Sequence, residues 1–103
     1  MPIFAVNYDH PDETGWQQHL LPHIAWLRDR VADGSLLASG PFTGETGKSA
    51  LLLFNMPDLQ SLEQLIAHDP FAREGLVHNL TIRHWDPIFG AFNSHSSRPV
   101  RTA

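Results

Sequence analysis

The sequence predicts a single α+β domain in which a four-stranded antiparallel sheet carries two helices on one face. The chain has 103 residues, of which 42% are hydrophobic and 17% charged, as is typical of one ordinary globular domain. Short apolar or alternating runs of strand length are interrupted twice by segments with helical spacing. Their order is β-α-β-β-α-β, the split arrangement of ferredoxin-like folds, which places both helices on one side of the sheet.

The first strand and the first helix occupy the N-terminal third of the chain. Residues 2–8 form a short apolar run with aromatic and β-branched residues, which predicts a buried strand. The helix begins between Thr14 and Leu21 and ends at Ala32, with apolar residues at positions 20, 24, 27 and 31. Pro22 lies inside this pattern, so the helix either starts near Leu21 or is kinked there.

A tight stop and a hairpin follow the first helix. Gly34 is able to take the positive φ that a helix C-terminus prefers, so the helix stops at Asp33 and Gly34. Residues 35–42 form the second strand, and the loop at 43–48 matches a hairpin connection to a third strand at 49–55. This loop lacks the Gly-x-x-x-x-Gly-Lys spacing and leads into a strand, so it is not a phosphate-binding loop.

The second helix and the fourth strand complete the domain. Pro57 and Asp58 begin the helix, with Asp58 as its N-cap, and the segment at 68–70 ends it. Residues 71–74 form one further turn, which stops at Gly75, and the alternating residues 77–85 form the last strand. An extended aromatic arm at 86–92 completes the domain of residues 1–92, and residues 93–103 are predicted to be a flexible tail.

Charge and composition exclude several classes of function. The net charge of −4 argues against a surface for nucleic acid or anionic membrane, which would be basic. No apolar run is long enough to span a bilayer, and no basic-then-apolar leader begins the chain. The absence of cysteine excludes disulfides and thiolate chemistry, so the cytosol is the expected compartment.

Histidine is the most promising reactive residue type in this chain. There are seven histidines against seven lysines and arginines, and histidine titrates nearest neutral pH. His23 lies early on the first helix, beside its apolar stripe, and is the first candidate. His19 lies four residues earlier, a spacing at which two histidines can bind a metal. Because Pro22 interrupts their shared face and no His-Glu-x-x-His motif is present, we expect no metal and no other cofactor.

The end of the second strand and two aromatic residues are candidates for a substrate pocket. Gly40, between Ser39 and Pro41, allows a ligand to approach the backbone closely, and Ser39 can donate a hydrogen bond. A β-bulge that bends the strand is the alternative interpretation. Trp26 and Phe71 can flank a planar substrate, together with the aromatic residues at 85 and 89, although such side chains also serve as core or interface anchors.

Several of these segments together resemble the YciI-like family of YCII-related domains. The matching segments are 23–27 (HIAWL), 33–41 (DGSLLASGP) and 68–71 (HDPF), followed by Gly75 and a last strand that ends in an aromatic residue. With the muconolactone isomerases, the family belongs to the dimeric α+β barrel group. The resemblance covers most of residues 1–92 and implies this barrel fold.

The resemblance also implies a catalytic pair. The family pattern has a histidine on the first helix and an aspartate in an Asp-Pro-aromatic turn, which by position are His23 and Asp69. A carboxylate next to an imidazole fixes its tautomer and makes it a general base near neutral pH. The alternative is that Asp69 only caps the turn that begins at Pro70, while His23 packs at a helix edge. Leu20 stands where the family often carries an arginine, so we do not expect this position to bind a substrate carboxylate.

These observations predict a small cytosolic enzyme of the lyase or isomerase kind. His23 is expected to act as general acid and base and Asp69 to orient it, on a small metabolite that is aromatic or of lactone type. The family includes a dehydrochlorinase of a chlorinated hydroxyhydroquinone, so aromatic-ring degradation is one setting. A non-catalytic dimeric binding or accessory protein is the alternative, and a cofactor-free oxygenase, as found elsewhere in the barrel group, is a third possibility.

The second face of the sheet predicts a homodimer. Leu51, Leu53, Phe4 and Leu37 suggest that this face is partly apolar. An apolar sheet face on so small a chain usually packs against a partner subunit. We therefore expect two copies to pair through their sheets, with a small-molecule substrate and no nucleic acid or membrane as further partners.

Overall fold

The computed structural model describes residues 2–44 and 48–100, and it confirms the predicted fold class. Its elements are β1 (Ile3–Asp9), α1 (Glu13–Ala32), β2 (Leu36–Pro41), β3 (Ser49–Asn55), α2 (Leu59–Ala67), α3 (Pro70–Arg73) and β4 (His78–Trp85), followed by a short 3₁₀ turn (Asn93–His95). The four strands pair antiparallel in the order β2-β3-β1-β4, which is the ferredoxin-like order. Among the described residues, no helix is long and apolar enough to cross a membrane.

The helix α1 starts earlier than the sequence predicted, at Glu13, and it continues through Pro22. The side chain of Asp12 caps its N-terminus by accepting a hydrogen bond from the backbone N–H of Gly15, at 3.0 Å. The Asp12 cap and the burial of Gly15 stabilise the helical turns before Pro22. The helix therefore continues although the proline removes one of its internal hydrogen bonds. Val31, which the sequence placed on the apolar stripe, is instead 58% exposed.

The hydrophobic core lies between the helices and one face of the sheet. The strands contribute Phe4, Val6 and Tyr8 from β1, with Leu36, Leu52 and Phe54, and α2 contributes Leu62 and Ile66. The assignment of Phe4 to the other face was therefore wrong. Its register partner Phe54 is also a core residue, and alternation then turns Ile3, Ala5 and Asn7 to the opposite side.

The opposite face of the sheet is mixed in character. Leu51 and Leu53 lie there, as predicted, because they alternate with core residues of β3, and Ala5 pairs with Leu53. Arg83 pairs with Ala5 and makes the β4 side of this face polar. The pairing register between β2 and β3 shifts at Leu37. The β-bulge that the sequence analysis considered at Gly40 therefore lies three residues earlier.

Residues after β4 fold back against the end of that strand. The carboxylate of Asp86 accepts hydrogen bonds from the backbone N–H and the hydroxyl of Ser97, at 2.9 and 2.5 Å. The side chain of Asn93 bonds the carbonyl of Ile88, and Phe89 is 94% exposed. The flexibility predicted for residues 93–103 stays a prediction, and residues 45–47 of the predicted hairpin loop lie outside the described residues.

Candidate active site

A buried histidine–aspartate pair joins α1 to the turn between α2 and α3. Nδ1 of His23 lies 2.7 Å from Oδ1 of Asp69, and the two side chains are 8% and 3% exposed. The same Oδ1 accepts a hydrogen bond from the backbone N–H of Phe71, at 3.1 Å, and so caps α3. Asp69 therefore caps the turn and contacts the imidazole at once, although the sequence presented these as alternatives.

The ring of Phe71 fixes the plane of the His23 imidazole. The two rings stack with centroids 3.7 Å apart and an interplanar angle of 9°. Because Nδ1 is bonded to Asp69, Nε2 is the ring nitrogen that is left to exchange a proton with a ligand. The imidazole is thus held by a hydrogen bond at one atom and by stacking on one face, an arrangement that suits a general acid or base.

His23 lies on the surface of a cavity of about 160 Å³ between α1 and the sheet. Four other residues predicted for the site also line it, namely Phe71, Ser39, Gly40 and Pro41. Asp69 is bonded to the imidazole and is not among the described residues that line the cavity. A larger hollow of about 700 Å³, between the strand ends and the C-terminal residues, contains neither member of the pair.

Trp26 is not among the described residues that line the cavity. Its ring packs against Phe54 of the core, with centroids 6.4 Å apart, and the guanidinium of Arg30 lies 5.8 Å from its centroid. The structure therefore brings five of the predicted residues and the supporting Asp69 together, and it places Trp26 elsewhere on the same helix.

The cavity residues that were not predicted for the site from the sequence include three with aromatic or imidazole rings, namely Tyr8, His10 and Trp16. Tyr8 ends the buried part of β1, and His10 follows that strand directly. Trp16 precedes Leu20 by one helical turn, so it extends the stripe of α1 once the helix is known to start at Glu13. Recognising Asp12 as an early N-cap could have indicated that Trp16 lies on the apolar stripe of this helix.

The side chains that line the cavity are either uncharged near neutral pH or are imidazoles. Burial raises the pKa of the Tyr8 phenol, and the negative charge of Asp69 raises it further, so the phenol stays protonated. Burial lowers the pKa of His10 and the nearby His23 lowers it further, against a smaller opposing effect of the residue's own backbone. Among the described lining residues there is no lysine, arginine, aspartate or glutamate.

His19 and His23, whose spacing the sequence analysis considered for a metal site, have different partners in the structure. Nε2 of His19 lies 3.9 Å from the carboxylate of Glu74, whereas His23 is bonded to Asp69. In the part of the chain that the structure describes, no group of three or more histidine, aspartate or glutamate side chains is placed to hold a metal ion.

Comparisons with known proteins agree with this architecture. The sequence profile of the family described as the YCII-related domain matches residues 1–86. The solved structure of 5-chloro-2-hydroxyhydroquinone dehydrochlorinase (TftG) from Burkholderia phenoliruptrix AC1100, in complex with 2,5-dihydroxybenzoquinone, superimposes with a TM-score of 0.70. It is 16% identical in sequence, and the alignment covers 82% of this chain and 93% of that chain, so it shows a shared fold. A search of curated proteins gave no match.

Proposed function

The chain belongs to the YCII-related domain family, and we propose that it is an enzyme of the lyase or isomerase kind acting on a small single-ring molecule. The observation that carries the proposal is the buried His23–Asp69 pair beside a cavity of ligand size. A hydrogen-bonded imidazole next to a small cavity is the arrangement that general acid–base catalysis requires.

In the proposed reaction Nε2 of His23 removes a proton from a C–H or O–H group of the substrate. The electron pair of that bond then forms a double bond within the ring system. In an elimination, a leaving group departs from the neighbouring carbon with its own electron pair. In an isomerisation, the imidazolium returns the proton to a different atom. Asp69 keeps the imidazole in one tautomer and stabilises the imidazolium that forms.

The size and lining of the cavity favour an uncharged or weakly charged ring. A cavity of about 150 Å³ lined by apolar side chains is large enough for benzene, and this one measures about 160 Å³. Trp16, Phe71 and Tyr8 supply aromatic surface, and the apolar Leu20 lines the cavity at the position where the family often carries an arginine. The structurally similar TftG binds 2,5-dihydroxybenzoquinone, which is also a single ring.

Ser39, Gly40 and Pro41 complete the proposed substrate site from the edge strand β2. The hydroxyl of Ser39 is a donor that can reach a ring substituent, and a Cβ added at Gly40 would meet nothing within 4 Å. Gly40 is therefore not required by packing inside this chain, and we propose that its small size leaves room for the ligand. Trp26 has no part in this proposal, because it packs against the core and does not line the cavity.

We propose in addition that two copies pair through the sheet face that carries Leu51 and Leu53. Sedimentation equilibrium of the purified protein tests this, with Leu51→Lys as the disrupting variant. If the wild-type protein is a monomer at micromolar concentration, the proposed dimer is contradicted.

A cytosolic location stays a prediction from the sequence, which fractionation of cells producing a tagged protein would check.

The enzymatic proposal is tested with a panel of hydroxylated and chlorinated benzenes. Melting temperatures report binding, since a ligand of the folded state raises them, and ultraviolet absorbance and released chloride report turnover. We expect at least one compound to bind and to be converted, and His23→Gln to lower the rate at least about 100-fold. The control is His95→Gln, which removes an imidazole outside the cavity. Binding without turnover, unchanged in His23→Gln, would favour the non-catalytic binding protein instead.

A further inference from the structure

His10 occupies a defined position on the surface of the cavity. Its backbone N–H donates a hydrogen bond to the carbonyl of Lys48, at 2.9 Å, which ties the end of β1 to the start of β3. Its ring lies 6.0 Å from Tyr8 and 5.9 Å from Trp16, nearly parallel to the indole at 12°. The residue is only 5% exposed, and it lines the same cavity as His23. Packing therefore holds this ring in place before any ligand arrives.

The hydrogen-bonding state of His10 is unusual for a buried imidazole. Its Nδ1 atom is buried and has no hydrogen-bond partner among the described residues. Buried polar atoms are nearly always paired, because an unpaired one costs free energy in desolvation. His23, which faces the same cavity, has its Nδ1 satisfied by Asp69. Because Nδ1 of His10 is buried, a ligand in the cavity can meet this imidazole only at its other ring nitrogen, Nε2.

We infer that His10 is a substrate-binding residue, which hydrogen-bonds a polar ring substituent other than the group that exchanges its proton with His23. This inference rests on the proposed function, since it assumes that a single-ring ligand enters the cavity. Both imidazoles pack against Phe71, so they occupy neighbouring parts of the cavity surface. A ring that lies against them can contact both through substituents at two different positions.

The charge of His10 limits which substituents it can hold. Burial and the nearby His23 keep its pKa below the ordinary histidine value, so the imidazole is neutral near neutral pH. A neutral imidazole offers one N–H donor and one nitrogen acceptor. It therefore matches a hydroxyl or carbonyl group, and it gives no countercharge to a carboxylate or phosphate. The inferred ligand is an uncharged ring with oxygen substituents at two positions.

The test compares phenol with the three dihydroxybenzenes, each titrated calorimetrically into the wild-type protein and into two variants. His10→Phe keeps the ring shape and removes both nitrogens, whereas His10→Gln keeps a donor and an acceptor. We expect one dihydroxybenzene to bind wild type about five- to tenfold more tightly than phenol, the contribution of one hydrogen bond. His10→Phe should abolish this advantage without weakening phenol binding, and His10→Gln should retain part of it.

A second measurement covers the possibility that His10→Phe does not fold. In ¹⁵N-labelled wild-type protein, the imidazole nitrogen resonances of His10 should shift when the favoured dihydroxybenzene binds and shift less with phenol. A dihydroxybenzene advantage that survives in His10→Phe, or His10 resonances that do not respond, would overturn the inference and leave the proposed function standing. If wild type binds none of the four compounds, the proposed ligand class fails and the inference fails with it.

Discussion

Replacing Asp69 by alanine should lower the free energy of unfolding by about 2–4 kcal/mol. The substitution removes the acceptor of His23 Nδ1 and leaves this atom buried without a partner, which costs about 1–3 kcal/mol. It also removes the N-cap of α3, where the carboxylate accepts from the backbone N–H of Phe71, and this costs about 1 kcal/mol. For a domain of this size the loss corresponds to roughly 10–20 °C in melting temperature.

The assay is urea denaturation followed by far-ultraviolet circular dichroism, with Asp58→Ala as the matched control. Asp58 caps α2 through the same kind of bond, to the backbone N–H of Ser61 at 2.7 Å, but it is exposed and has no histidine beside it. Asp69→Asn keeps an oxygen acceptor and should cost only about 1 kcal/mol. If Asp69→Ala destabilises no more than Asp58→Ala, the His23–Asp69 bond contributes nothing and the reasoning is refuted.

Three further predictions concern His10, Tyr8 and Gly15. Because folding lowers the pKa of His10, the unfolded chain binds its proton more readily, and stability should fall as pH decreases below about 6.5. The urea midpoints at pH 8 and pH 5 should therefore differ more for wild type than for His10→Phe. If the midpoint changes by the same amount in both proteins, the lowered pKa of His10 is contradicted. Tyr8 is the only tyrosine of the chain, so absorbance at 295 nm reports it alone. Since burial raises its pKa, no tyrosinate step should appear near pH 10 in the folded protein, and a normal step would show an accessible phenol. Gly15→Ala should destabilise by about 1–3 kcal/mol, although alanine normally favours a helix, because its Cβ would lie 2.6 Å from Leu76 Cδ2 and 2.7 Å from Asp12 Oδ2. A stabilised Gly15→Ala protein, measured by the same denaturation, would show that these neighbours move aside.

The order of the elements could be predicted from the sequence because it depends on local patterns. Apolar spacing, the proline-bearing ends and the caps at Asp33–Gly34 and Asp58 act over a few residues, and they indicated βαββαβ. His23 was the first candidate because of its residue type and its place on the first helix, whereas its pairing with Asp69 was predicted through a family motif whose segments lie far apart in the chain. Local pattern alone left Asp69 as a cap or as a partner, and the coordinates show that one oxygen does both.

The composition of the cavity surface was decided by tertiary structure. Which residues of α1 face the sheet depends on how far the helix is rotated about its axis, and that rotation turns Trp16 toward the cavity and Trp26 toward the core. Phe4 faces the helices because a strand shows alternate residues to opposite sides, and a shift of one position reverses the assignment. His10 joins the site only because β1 ends beside α1. The sequence determined the fold and indicated His23 as the candidate imidazole, whereas packing between segments distant in the chain selected the residues around it.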